Sequence, residues 1–244
     1  WPNFTLNYGL RWEAQIFPDP VVPPAQTAYG VFLSDPRFPS DGTLHNQTRE
    51  FQPRVGFAWD VRNNGKSVLR ANGGVYYGRQ NMLTQVGSIT TNGAQQRGAF
   101  RDTSLIGLLL GFGIPVSAVA PTWPNVLPPG PPSGCPGPPA NPSPFECFTG
   151  VRVFKKDYDN PRVTTANVAY EQQIYPNWAV YTDFTWAKGV HLTRFIDANW
   201  NGNFFLNLLF VFTAESSAKS LYRGWTIGVR KRFSQGFQLE GNYV

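Results

Sequence analysis

Charge is scarce in this chain: Asp, Glu, Lys and Arg together supply 15% of its 244 residues, against a usual ~25%. A surface bathed in water normally carries more. The only 2 histidines, His45 and His191, lack a second ligand at metal-binding spacing, so no histidine-built metal centre and no cofactor is expected. Only 2 cysteines occur, Cys135 and Cys147, too few for a disulfide scaffold. There is no run of about 18 apolar residues, which excludes a membrane-spanning helix but leaves open a membrane barrel, whose strands carry one wet face. The negative mean hydropathy of −0.29 is therefore compatible with a membrane. Basic charge is not concentrated either. The net +6 is dispersed apart from Arg230-Lys231-Arg232, and on a strand those three side chains alternate between faces, so no nucleic-acid partner is expected. Met82 is the sole methionine and the chain opens Trp1-Pro2, so we expect an internal piece of a longer protein, without a secretory leader of its own.

What is plentiful is large rings, 15% of residues with 8 Trp, arranged with period two. From Phe51 to Val61 the apolar side chains Phe51, Val55, Phe57, Trp59 and Val61 alternate with Gln52, Arg54, Gly56, Ala58 and Asp60. After the breaker Arg62–Lys66, Leu69, Ala71, Val75 and Tyr77 alternate with Arg70, Asn72 and Gly74. This pattern predicts a β-hairpin, greasy on one face and polar on the other. It sets Trp59 beside Leu69, Phe57 beside Ala71 and Phe51 beside Tyr77. The same alternation predicts a strand over Phe4–Trp12, a hairpin of 165–173 with 178–186 about Pro176, and a hairpin of 225–233 with 237–243 about Gln235. The last places Phe233 beside Phe237 and Arg230 across from Glu240.

Between these strands the connections alternate in length. Long ones are expected at about 16–50, 78–161 and 189–220, and short turns at 62–66, 175–177 and 234–236. The first two are rich in proline, which a ladder does not tolerate, and the third holds the aromatic-rich NWNGNFFLNLLFVF and is expected to carry some strand extension. Within the second, Ser104–Phe112 fits either a short helix or a loop strand. Cys135 and Cys147 also fall there. The preferred reading is a disulfide between them, formed outside the cytoplasm, with free thiols as the alternative. The expected fold is an all-β, antiparallel up-and-down meander of about seven strands, part of a larger transmembrane β-barrel with long extracellular loops and short periplasmic turns. Rings near strand ends, Trp12, Trp59, Tyr77, Trp178, Trp186 and Phe233, fit an interfacial girdle. A secreted β-sandwich that binds polysaccharide through exposed aromatics is the competing architecture.

The segments LNYGLRWE at Leu6–Glu13, FQPRVGFAWD at Phe51–Asp60, NGKSVLRANGGVYYGR at Asn64–Arg79, DNPRVTTANVAYEQQI at Asp159–Ile174 and YRGWTIGVRKRFSQGFQLEGNYV at Tyr222–Val244 together resemble the barrel of Oar-like TonB-dependent receptors. The resemblance covers most of the strands and little of the loops. It implies a bacterial outer-membrane location, lipid as a partner, and a barrel of about twenty-two strands preceded by a plug. It further implies transport of a bulky, unspecified substrate with energy relayed by the TonB complex through that plug, and no enzymatic activity.

The polar face supplies the lumen-facing candidates Arg11, Glu13, Arg54, Arg70, Asn72, Asn167, Glu171, Asp183, Arg230 and Glu240. Lipid is expected against Phe4, Leu6, Leu10, Phe57, Trp59, Leu69, Val168, Phe184, Trp186, Ile227 and Val229. A barrel wall needs polar lumen residues simply to be wetted, so a generic wall explains the first set as well as substrate contact does. No nucleophile and base are identifiable. Asn64–Ser67 matches the end of a phosphate-binding loop, but Asp60 stands where its first glycine belongs and a strand follows, so it reads as a turn. Asp157 and Asp159 are a solvated turn or, less simply, part of a calcium site.

Overall fold

The computed structural model describes residues 2–95, 107, 110–113, 149–200, 205 and 208–244. They build one eight-stranded sheet from β1 (Phe4–Gln15), β2 (Gln47–Asp60), β3 (Ser67–Tyr77), β4 (Thr149–Phe154), β5 (Arg162–Tyr175), β6 (Trp178–Asp197), β7 (Leu208–Ser234) and β8 (Phe237–Tyr243). Neighbours along β1-β2-β3-β5-β6-β7 are antiparallel. Beyond β7 the edge is shared: β8 pairs antiparallel with its later half and β4 pairs parallel with its earlier half.

Turn chemistry sets the registers. In the β2–β3 turn the Asp60 carboxylate accepts from Arg62 N at 3.3 Å and Gly65 N at 2.6 Å, and Asn63 and Gly65 take positive φ of 52° and 69°. Asn64–Ser67 is thus a hairpin turn. Trp59 then opposes Leu69 and Phe57 opposes Ala71. In the β7–β8 turn Gln235 and Gly236 both have positive φ, 53° and 81°, the geometry whose twist matches the flanking strands. Arg230 opposes Glu240, Val168 opposes Phe184 and Ala166 opposes Trp186.

Three expectations need correction and a fourth is exceeded. The β2–β3 ladder stops at Arg54 and Gly74, so Phe51 opposes Trp12 on β1 instead of Tyr77. A register shift after Lys231 puts Ser234, not Phe233, opposite Phe237. The strand extension expected within 189–220 takes up most of the interval: β6 and β7 stay paired out to Asp197 and Phe212, through irregularities on either side of Leu192. At 20 and 27 residues they far exceed the ~9–11 needed to cross a bilayer, so the hairpin continues well past any membrane. Finally, β4 is an eighth strand inside the second long connection. Its residues TGVRVF are too short a run to announce a parallel partner distant in sequence.

A hydrophobic core exists only at the long-connection end. All ten buried apolar side chains among the described residues lie there: Tyr29, Phe38, Val151, Val153, Phe154, Tyr158, Phe205, Leu208, Val211 and Ala214. Phe205 sits edge-on to Phe32 and Phe38, with ring centroids 5.3 and 5.2 Å away. Buried Asn199 shapes this tip, its amide donating to Phe205 O and Leu208 O at 3.2 and 2.8 Å. Backbone bonds tie the connections together, with Ala28 N to Asn92 O at 3.0 Å, Arg152 N to Thr91 O at 2.9 Å and Lys156 N to Pro39 O at 3.0 Å. The described parts of the three long segments thus meet in one cap. The helix α1 (Met82–Thr90), N-capped by the Asn81 side chain, belongs to it and touches β4.

Candidate functional site

Period-two side-chain direction combined with the observed register sorts the strand residues into two faces. Phe4, Leu6, Leu10, Phe57, Trp59, Leu69, Val168, Phe184, Trp186, Ile227 and Val229 share one face, linked by Phe4↔Trp59, Leu6↔Phe57, Trp59↔Leu69, Val168↔Phe184 and Val180↔Val229. Nothing in the described chain covers it: Leu10 is 67% exposed, Ile227 50% and Val168 49%. Contiguous apolar area of this kind is not left to water in a soluble monomer. Trp59 and Phe184, which a sandwich would place beneath a second sheet, also stand exposed. Lys231 lies on the same face at the short-turn end. It bends its ammonium back to the turn, donating to Ser234 O at 2.7 Å and Phe237 O at 3.0 Å, a charge withdrawn from an apolar surface.

The register carries the other ten residues to the opposite face, where hydrogen bonds join them across the sheet. Glu13 accepts from Arg11 at 2.5 Å, Gln52 at 2.5 Å and Arg79 at 3.0 Å. Arg54 donates to Gln52 at 3.2 Å and stacks on Tyr76, 4.5 Å from the ring centre. Arg70 meets Glu171 at 3.2 Å and Asn72 meets Asn167 at 3.5 Å. The Asn167 amide donates in turn to Asp183 at 2.7 Å and Thr185 at 2.9 Å, and Arg230 pairs with Glu240 at 2.8 Å. Apart from Glu13 and Gln52, which are little exposed, these groups stand open to solvent, where single ion pairs add little to stability. Their collective effect is a hydrated, hydrogen-bonding wall of both signs.

Sequence reasoning missed the denser polar group where this wall meets the cap. Asn160, buried, donates to Gln15 at 2.8 Å and Glu50 at 2.7 Å, and the Tyr158 hydroxyl bonds to Gln80 and to Thr193. Burial pushes the Tyr158 phenol above its ordinary value. Gln15, Glu50 and Thr193 lie on β1, β2 and β6 beyond the stretches whose alternation predicts a strand, and Gln80, Tyr158 and Asn160 sit in the proline-rich second connection, where no periodicity marks them. In the cap, Arg37 holds the Asp35 carboxyl down at about 2. Glu215 is lowered by the Ser217 hydroxyl and then by the Arg194 guanidinium.

Cys135, Cys147 and most of Ser104–Phe112 lie outside the described residues. Asp157 pairs with Lys155 at 3.2 Å and Asp159 with His191 at 3.6 Å. Among the described residues no group of three or more His, Cys, Asp or Glu side chains is placed to hold a metal ion.

A search of curated proteins found no match. Among solved structures, the chain is similar to the FrpB iron transporter from Neisseria meningitidis at 10% identity, covering 95% of this chain and 22% of that one with a TM-score of 0.46. It is similar to the outer membrane transporter YddB from Escherichia coli at 10% identity, over 76% of this chain and 17% of that one, TM-score 0.42. For the siderophore receptor PirA from Pseudomonas aeruginosa the figures are 8% identity, 80% and 27% coverage, and a TM-score of 0.43. The chain thus spans about a fifth of the length of these structures. The family model for an outer membrane beta barrel domain matches residues 1–244, the full length of the chain. The chain belongs to the outer membrane β-barrel domain family, and its place is the bacterial outer membrane.

Proposed function

We propose that this chain is one stretch of the wall of a TonB-dependent receptor barrel, which moves a bulky substrate across the outer membrane without catalysing a reaction. The observation that carries this reading is the separation of faces. Arg11, Glu13, Arg54, Arg70, Asn72, Asn167, Glu171, Asp183, Arg230 and Glu240 line an aqueous lumen. Phe57, Trp59, Val168, Phe184 and their neighbours meet lipid, which needs no second protein layer over them. The cap stands on the extracellular side and the short turns on the periplasmic side. The Oar-like resemblance of the strand segments supports the coupling to TonB. Substrate contact falls to the cap, since recognition concentrates on connections held by a rigid scaffold.

Single cysteines introduced in intact outer membranes, in a background with Cys135 and Cys147 replaced, test the assignment. A small charged maleimide should modify Asn72→Cys and Asp183→Cys and spare Val168→Cys and Phe184→Cys. Equal labelling of the two sets defeats the lumen assignment. Separately, cells lacking TonB should accumulate none of the solute that the receptor takes up; undiminished uptake defeats the coupling.

A further inference from the structure

At the short-turn end of the polar face, β3, β5, β6 and β7 form a shallow dish of about 170 Å³. Lys66 and Arg70 rise from one side and Arg230 and Arg232 from the other, with Ala179 and Glu171 between them. The small Ala179 side chain is why the hollow exists: a long residue there would fill the gap between the two cationic walls. Arg70 is spoken for in part by Glu171 at 3.2 Å, and Arg230 by Glu240 at 2.8 Å. Lys66 and Arg232 enter no ion pair among the described residues and are exposed. Four cations against two carboxylates leave a surplus of two positive charges.

We infer that this dish is a binding site for a phosphate-bearing solute, held as a dianion near the periplasmic mouth of the lumen. A phosphate monoester at neutral pH carries about −1.5 to −2 charges and three strong acceptor oxygens, which matches the surplus. Guanidinium forks on Arg70, Arg230 and Arg232 suit tetrahedral oxyanions. The arrangement across four adjacent strands holds the cations apart at a fixed spacing, so the site is formed before the anion arrives. It depends on the placement of the polar face, not on transport, and survives if the TonB coupling fails.

Equilibrium dialysis of the full-length protein in detergent against radiolabelled inorganic phosphate tests it. Wild type should bind phosphate saturably. Lys66→Gln and Arg232→Gln should each weaken binding about fivefold, the effect of removing one exposed charge partner. The double variant should lose roughly 25-fold, while Lys66→Arg retains binding and Arg62→Gln, in the turn outside the dish, changes nothing. Retained heat-modifiable migration on gels confirms that each variant is folded. No saturable binding in wild type, a double variant within about twofold of wild type, or equal competition by succinate would each overturn the assignment.

Discussion

The two ends of this sheet treat their apolar side chains differently. At the long-connection end, Phe205, Phe38, Tyr29, Val151 and Val211 are buried against one another as in any water-soluble domain. Toward the short turns no apolar side chain is buried, and the rings and aliphatic residues of one face stand open. One polypeptide therefore makes its own interior at one end and, on the proposed reading, relies on lipid at the other. A β-strand does both because its two faces are independent, so β7 runs from buried Leu208 and Val211 to exposed Trp225 and Ile227 without a break. The lesson is that burial, usually taken as the sign of a folded region, marks here only one end of a continuous sheet.

The sharpest way to test that contrast is to damage each end separately. Phe205→Ala should cost the cap about 3–5 kcal/mol. Hydrogen exchange should show Tyr29, Phe38 and β4 opening while β2, β3 and β5 stay protected; loss of the whole sheet would mean that the two ends share one core after all. On the apolar face, Val168→Arg near the middle of β5 should cost about 2–4 kcal/mol of folding into lipid vesicles, read by denaturant titration. The cap exchange pattern should be unchanged, and a neutral outcome would remove lipid from that face. The smallest effect is acidification. Asp35 has an ordinary carboxylate value of 3.8 and sits at about 2 in the fold, so its pairing with Arg37 contributes fully above pH 3.8 and is lost as pH falls through 2. Exchange around 35–38 should quicken in that window with β5 and β6 unmoved; an unchanged rate would show the pair to be idle.

How much of this the sequence revealed follows the same division. Alternation plus a turn residue such as Asn63-Asn64-Gly65 determines register, because a slip of one position would turn every ring to the wet face. That is why Trp59↔Leu69, Val168↔Phe184 and Ile227↔Tyr243 were legible. The shared face of the ten polar candidates was legible for the same reason, while their role in a lumen belongs to the proposal. The cap was not. Phe204-Phe205-Leu206 and Leu208-Leu209-Phe210-Val211 form a nearly continuous apolar run with no period to read, and β4 finds β7 through a parallel pairing across more than fifty residues, which no local pattern encodes. The bulge after Lys231 likewise depends on the ammonium curling onto Ser234 and Phe237, a contact seen only once the turn is built.

The double tenancy of the β7 edge has a geometric consequence. β4 holds it as far as Ala214 and β8 from Ile227 onward. A strand edge offers each backbone group to one neighbour, so over Leu208–Ala214 no antiparallel strand can lie where β4 is moored. The parallel strand is thus a doorstop on that edge of the sheet.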